Sequence, residues 1–315
     1  GRAFSDLGIR GILGRGFSNV STFPDGLPNR NYETVDQALE KFDALITQFQ
    51  EYPMVSIAIS PPAFWTIDRD GLAAVAEYSE KHNLLVTMHT YETNDDEEFC
   101  LEKFGQRPYE ILSDLGLLNQ RFLGVHCVKL KPQDITLLAR TGAGVSHNPA
   151  ANMVLASGVA PIAELLARGV NVGLATDGAS SNDSHSIIEA MKLAALLQKV
   201  HHQDASALGA RDVVRMATTM GAKAVGKENK IGSLEIGKRA DLVVLDMMKV
   251  NTAPTHDEIA NLVYCGSGAN VDTVIINGSF VLRQGHFINV DEDAVVRRAF
   301  DQAKRLRVRA RIEGD

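Results

Sequence analysis

The sequence is poor in cysteine, in long apolar runs and in surplus positive charge, and each shortage excludes something. Among 315 residues there are three cysteines, Cys100, Cys127 and Cys265. None forms a CxxC pair, and the odd count argues against a disulfide framework. They read as free thiols of a reducing cytoplasm, with Cys127 a small buried filler in an apolar run. The apolar runs are far too short to cross a bilayer, so no membrane partner is expected. Lysine and arginine number 32 against 39 acidic residues, a net charge of −7. That balance gives no support to nucleic-acid binding. No charged-then-apolar opening marks a signal peptide. The first residue is Gly1 rather than methionine, a hint that the natural start lies elsewhere.

Several signatures are missing too. There is no HExxH, no GxSxG elbow and no PCxxC. GILGRG (11–16) has the wrong glycine spacing for a dinucleotide turn. GSLEIGKR (232–239) has Arg239 where a phosphate loop needs Ser or Thr, and it precedes a strand rather than a helix. It reads as a turn.

What is there is an ordinary core-forming composition, 45% hydrophobic and 23% charged, enough for one large domain or two smaller ones. Six short apolar runs alternate with helical periodicity: 8–17, 54–62, 84–90, 122–128, 142–149 and 171–177. The helical stretches are Tyr32–Tyr52, Asp70–His82, Pro132–Thr141, Gly158–Arg168 and Ser184–Val200. Strand–helix alternation predicts an α/β fold with a parallel sheet and crossover helices. After residue 230 the pattern turns β-rich, at 240–246 and 271–288, and Asn277-Gly278 signals a hairpin. Asp291–Ile312 reads as a charged helix. The expected division is a barrel over 1–230, a small β-sheet unit over 231–290, and a helix over 291–315 that packs back on the barrel.

The candidate chemistry sits where the apolar runs end. LLVTMHTYET (84–93) reads as a strand covered on both faces that ends in His89, with Glu92 three residues on. Barrels place catalytic side chains at that end of their strands. Polar residues end other runs in the same way, at His126, His147 and Asp177. Imidazole and carboxylate are ligands for zinc, iron or manganese, and a carboxylate beside a metal can carry protons. Blander readings stand beside these. Glu92 can be a loop acid next to the charged first turn Asp95–Glu98. Asp177 can be a turn residue before Gly178, and Asp183 and Ser184 can cap the following helix. His185, His201 and His202 read as structural.

Taken together, HxxE after one strand, GVHCVKL after the next, SHNPAANMVLASGVAPI and GLATDGASSND resemble the amidohydrolase superfamily. The resemblance is to its cytosine/guanine-deaminase and chlorohydrolase-like branch, with methylthioadenosine/adenosylhomocysteine, oxopurine and pterin deaminases and triazine hydrolases. The tail GSLEIGKRADLVVLD…VIINGSFVL is similar to that family's β-sandwich. The resemblance implies a (β/α)8 TIM barrel with a small β-sandwich, six of the eight strands lying in this chain. It implies one divalent metal, zinc foremost and iron as the alternative, with His89 and Asp177 as ligands. Glu92 would shuttle protons, His126 would orient the attacking hydroxide or polarise the substrate, and Asp177 would also accept the water's proton. The implied reaction is hydrolytic deamination of an N-heterocycle in the cytoplasm, with water as co-substrate and a homo-oligomer as the assembly. Triazine-type hydrolysis, or a non-catalytic fragment without a metal site, are the alternatives.

Two departures matter. The family's HxH pair after the first strand is absent, and two strand–helix units of the eight are unaccounted for. That leads to an expectation of roughly 100–150 further residues. In addition, the stretch SPPAFWTI lacks the histidine that often follows the fourth strand in nucleoside-deaminating relatives. Phe64 and Trp65 stand there instead. Trp65 can stack on a flat heterocycle or simply pack, and Asn148 can reach substrate or serve its turn. This stretch tilts the expected substrate toward a bare base or a fused bicyclic ring such as a pterin or oxopurine.

Overall fold

The computed structural model describes residues 1–310. All six apolar runs form strands: β1 Gly11–Arg15, β2 Val55–Ile59, β3 Leu85–Thr90, β4 Phe122–His126, β5 Gly144–His147 and β6 Asn171–Leu174. They pair in parallel in sequence order, β1 through β6. Each strand pairs with the next in the chain, the arrangement that helical crossovers impose on parallel neighbours. This is the strand order of a (β/α)8 barrel, with six of its strands present and β1 and β6 at the open edges.

The crossover helices start and stop on local signals. Thr34 and Gln37 form a capping box on the helix Val35–Phe49. Asp68 accepts from the Gly71 amide to open Arg69–His82. Pro132 begins the helix Pro132–Thr141, and Gly142, at φ 74°, ends it. The helix Ile187–His202 is capped by Ser186 rather than by the expected Asp183 or Ser184. Ser184 instead reaches forward to Glu189. The apolar sides of these helices and the strand residues facing them form one core that includes Phe42, Leu72, Tyr109, Phe122 and Val172.

The β-rich tail forms an antiparallel sheet of order β10-β9-β8-β7, from β7 Leu242–Leu245, β8 Val271–Ile276, β9 Ser279–Arg283 and β10 His286–Phe287. Asn277 and Gly278 have φ of 52° and 82°, the paired positive values of the hairpin turn expected there. Arg10, just before β1, makes a two-point ion pair with Asp241 at 2.7 and 3.1 Å. The contact ties this sheet to the first strand.

Two expectations differ from what is observed. The helix Glu292–Ala310 forms, but none of its residues is buried, so the expected packing back on the barrel is not seen. The last residues of that expectation lie outside the described ones. On β3, Val86, Met88 and Thr90 are buried, whereas Leu85 and Thr87 are half-buried and His89 is exposed. Among the described residues the strand is fully covered on one face and half-covered on the other, where only His89 is exposed.

Candidate functional site

The site is built at the C-terminal ends of β3, β4 and β6. His89 lies on the open face of β3, and its Nδ1 is 2.9 Å from the Pro62 carbonyl oxygen. A carbonyl can only accept, so Nδ1 donates, which leaves Nε2 as the nitrogen available to a metal. A metal-ligating imidazole is commonly oriented in this way.

His126 reaches the same place by a different route. It pairs across the ladder with Thr90, which is buried. Strand alternation would send both side chains to the same side. Instead the backbone turns left-handed at His126 (φ 70°) and Cys127 (φ 52°). The two imidazole rings then lie 5.3 Å apart. His126 Nδ1 is 2.8 Å from Asn152 Oδ1. Its Nε2 faces Glu92 Oε2 at 3.6 Å and Asp177 Oδ2 at 3.9 Å. Positive φ is rare outside glycine and gathers at functional sites, at a cost of about 1–3 kcal/mol per residue. Tyr91 (φ 53°) and Asp177 (φ 65°) share it. Every loop that carries a site residue therefore bends through a strained position.

Glu92 is held at its backbone and at its side chain. Its amide donates to Asp96 Oδ2 at 2.8 Å, and its Oε1 accepts from Ser157 Oγ at 3.0 Å. Behind it, the buried Tyr91 hydroxyl donates to Asp134, which in turn pairs with Arg107. Asp177 accepts from the Gly178 amide at 2.6 Å and from Ser181 Oγ at 3.0 Å. Its turn role and its place at the mouth therefore coexist.

Sequence reasoning read Asp96 as part of the charged first turn Asp95–Glu98, and it stands there, but it is 1% exposed. Burial pushes its carboxyl up to about 6, against the lowering effect of the Glu92 and Thr93 amides. Its helical spacing of four from Glu92 was the available signal. Asn152 and Ser157 were also missed, because nothing local marks a residue that contacts a partner 26 or 65 positions away.

The proposed substrate contacts fare differently. Phe64 has no exposed surface and belongs to the core, which leaves it no face for a ligand. Trp65 is half-buried in the short turn Phe64–Thr66. Asn148 is buried, accepts from Ser146 Oγ at 3.1 Å and opens the helix Pro149–Val154. Cys127 is the expected buried filler. Its Sγ lies 3.1 Å from the Tyr109 hydroxyl, and burial pushes the thiol up to about 11.

His89 and Asp177 have the donor chemistry of a metal site. Among the described residues, though, no group of three or more His, Cys, Asp or Glu is placed to hold a metal ion. The donors fit in kind but not in number.

The amidohydrolase family model matches residues 1–281. The chain belongs to the amidohydrolase family. A 5-methylthioadenosine/S-adenosylhomocysteine deaminase of Desulforudis audaxviator (strain MP104C) is 38% identical over 97% of this chain and 69% of its own length. An adenosine deaminase from Xanthomonas campestris, solved with bound zinc, superposes with a TM-score of 0.91 at 32% identity. That match covers 98% of this chain and 68% of the other. An atrazine chlorohydrolase from Arthrobacter aurescens TC1, complexed with zinc, gives 0.90 at 26% identity, covering 95% and 67%. This chain thus spans about two thirds of the length of these relatives. Metal dependence is general to the family, and its deaminase members place this chain among hydrolases of carbon–nitrogen bonds.

Proposed function

We propose that the intact protein is a metal-dependent hydrolytic deaminase of a 6-aminopurine, with adenosine-type nucleosides as its substrates. The observation that carries this is the convergence of Glu92, His126 and Asp177, with His126 Nε2 within 4 Å of both carboxylates. In the reaction water adds to the ring carbon bearing the amino group, the adjacent ring nitrogen is protonated, and ammonia leaves as the carbonyl forms. Asp177 takes the proton from water. Glu92 delivers protons to the ring nitrogen and the departing amine. His126 Nε2 orients the attacking oxygen or polarises the adduct. His89 through Nε2 and Asp177 would hold part of a zinc or iron site, which supplies water of lowered pKa.

The residues themselves lean toward a bare base or fused ring, through Trp65 and the missing histidine in SPPAFWTI. The relatives named for adenosine-type substrates weigh more, because they match nearly the whole chain. Triazine hydrolysis stands as a second reading, on the TM-score of 0.90 to the atrazine enzyme.

The test is ammonia release by the intact protein from methylthioadenosine, adenosylhomocysteine and adenosine, run beside oxopurines, pterins and a chlorotriazine. Deamination of the nucleosides is expected, with loss of activity on chelation. Glu92→Gln should lower turnover about 100-fold or more. Chloride release alone would favour the second reading. Turnover unchanged in Glu92→Gln would remove the proton shuttle.

A further inference from the structure

We propose that the turn closing the helix Pro149–Val154 is a positioning clamp for two side chains of the site, Asn152 holding His126 and Ser157 holding Glu92. The inference rests on the reading that these two side chains act on the substrate.

The turn is built to keep its two contacts at a fixed spacing. The Ser157 amide donates to the Asn152 carbonyl at 2.9 Å, and the Ala156 amide to the Met153 carbonyl at 3.2 Å. Ala156 between them is left-handed, at φ 55°. These are the bonds of a Schellman helix end, in which the left-handed position usually falls to glycine. An alanine there is strained, yet the closure holds. Asn152 and Ser157 thus belong to one rigid unit, and one side chain from each end of it reaches into the site.

The contacts are specific to the chemistry. Asn152 Oδ1 can only accept, so the 2.8 Å contact puts the proton of His126 on Nδ1. Nε2 is then the nitrogen turned toward Glu92 and Asp177. Ser157 Oγ holds Glu92 by Oε1, which turns Oε2 toward His126. Asn152 is 1% exposed, and its Nδ2 has no partner among the described residues. An unsatisfied buried donor costs about 1–3 kcal/mol. A side chain kept only for packing would not carry that cost. The oxygen, and its hold on the imidazole, account for an amide at this position. Both are positioning residues, since each acts through another side chain.

The experiment uses the intact protein labelled with 15N-histidine. The wild type should show His126 as the Nδ1–H tautomer, and Asn152→Leu should lose that preference. In Ser157→Ala, kcat should fall about tenfold with KM within about twofold, and Ser157→Thr should recover most of the loss. A crystal structure of Ser157→Ala should show the Glu92 carboxylate turned away from His126. Melting curves and metal content, matched to wild type, exclude misfolding and ligand loss. An unchanged tautomer in Asn152→Leu, or an unchanged carboxylate and kcat in Ser157→Ala, overturns the clamp. If no purine is deaminated while the tautomer and the carboxylate still move, the functional reading fails and the clamp stands.

Discussion

His147 is enclosed on all sides, and neither ring nitrogen has a hydrogen-bond partner among the described residues. Burial first, then the nearby His126, pushes its imidazole down to about 3. An unfolded histidine takes up a proton near pH 6.5, whereas the folded one does so only near 3. Between those values the unfolded state binds more protons, so stability falls as pH drops, by up to about 1.4 kcal/mol per pH unit. His147→Leu should therefore gain on the wild type as pH falls from 7 to 4 in urea denaturation. A pH-independent gap between the two would refute this. Asp96 acts in the opposite sense, since its raised pKa makes its contribution fade as pH rises from about 4 through 6. Residues that end strands were legible in the sequence: His89, His126 and Asp177 all gather at one place, with Glu92 beside them. Burial and distant partners were not, as Asp96, Asn152 and Phe64 show. Nor does any letter of the sequence announce that His126 will be left-handed, the turn that brings it to the mouth.

Elements were legible where periodicity and punctuation agreed. Pro132–Thr141, bounded by proline and glycine, appears with the expected limits. The NG hairpin does so as well. The last helix was legible as a helix but not in its placement, because a charged periodic stretch says nothing of what lies beside it. Close packing of elements is equally silent in sequence. A side chain at Gly144 of β5 would put its Cβ 2.9 Å from the Ala224 carbonyl oxygen and 3.1 Å from Ala224 Cα. The helix Thr219–Ala224 lies against the sheet there, and its backbone would have to withdraw. Gly144→Ala should cost about 1–3 kcal/mol, visible as a lowered melting temperature. A melting temperature equal to wild type would show that the contact can relax freely.

At the scale of the whole molecule, the parallel sheet and the small second sheet were readable from alternation and from the β-rich tail, and the barrel order of the strands from the family resemblance. The absent HxH pair was readable as well, and it agrees with a donor set that does not close among the described residues. The open edges of the six-stranded sheet carry a separate consequence. β1 and β6 each pair with one neighbour and present their other side without a strand among the described residues. Unpaired backbone donors and acceptors in a row form a template for any extended chain. Residues 1–310 produced by themselves should thus be adhesive, eluting in size-exclusion chromatography as mixed assemblies whose size grows with concentration. A sharp, concentration-independent monomer peak would show that the two edges are shielded. For such a sheet, solubility is set less by surface charge than by what the first and last strands are allowed to touch.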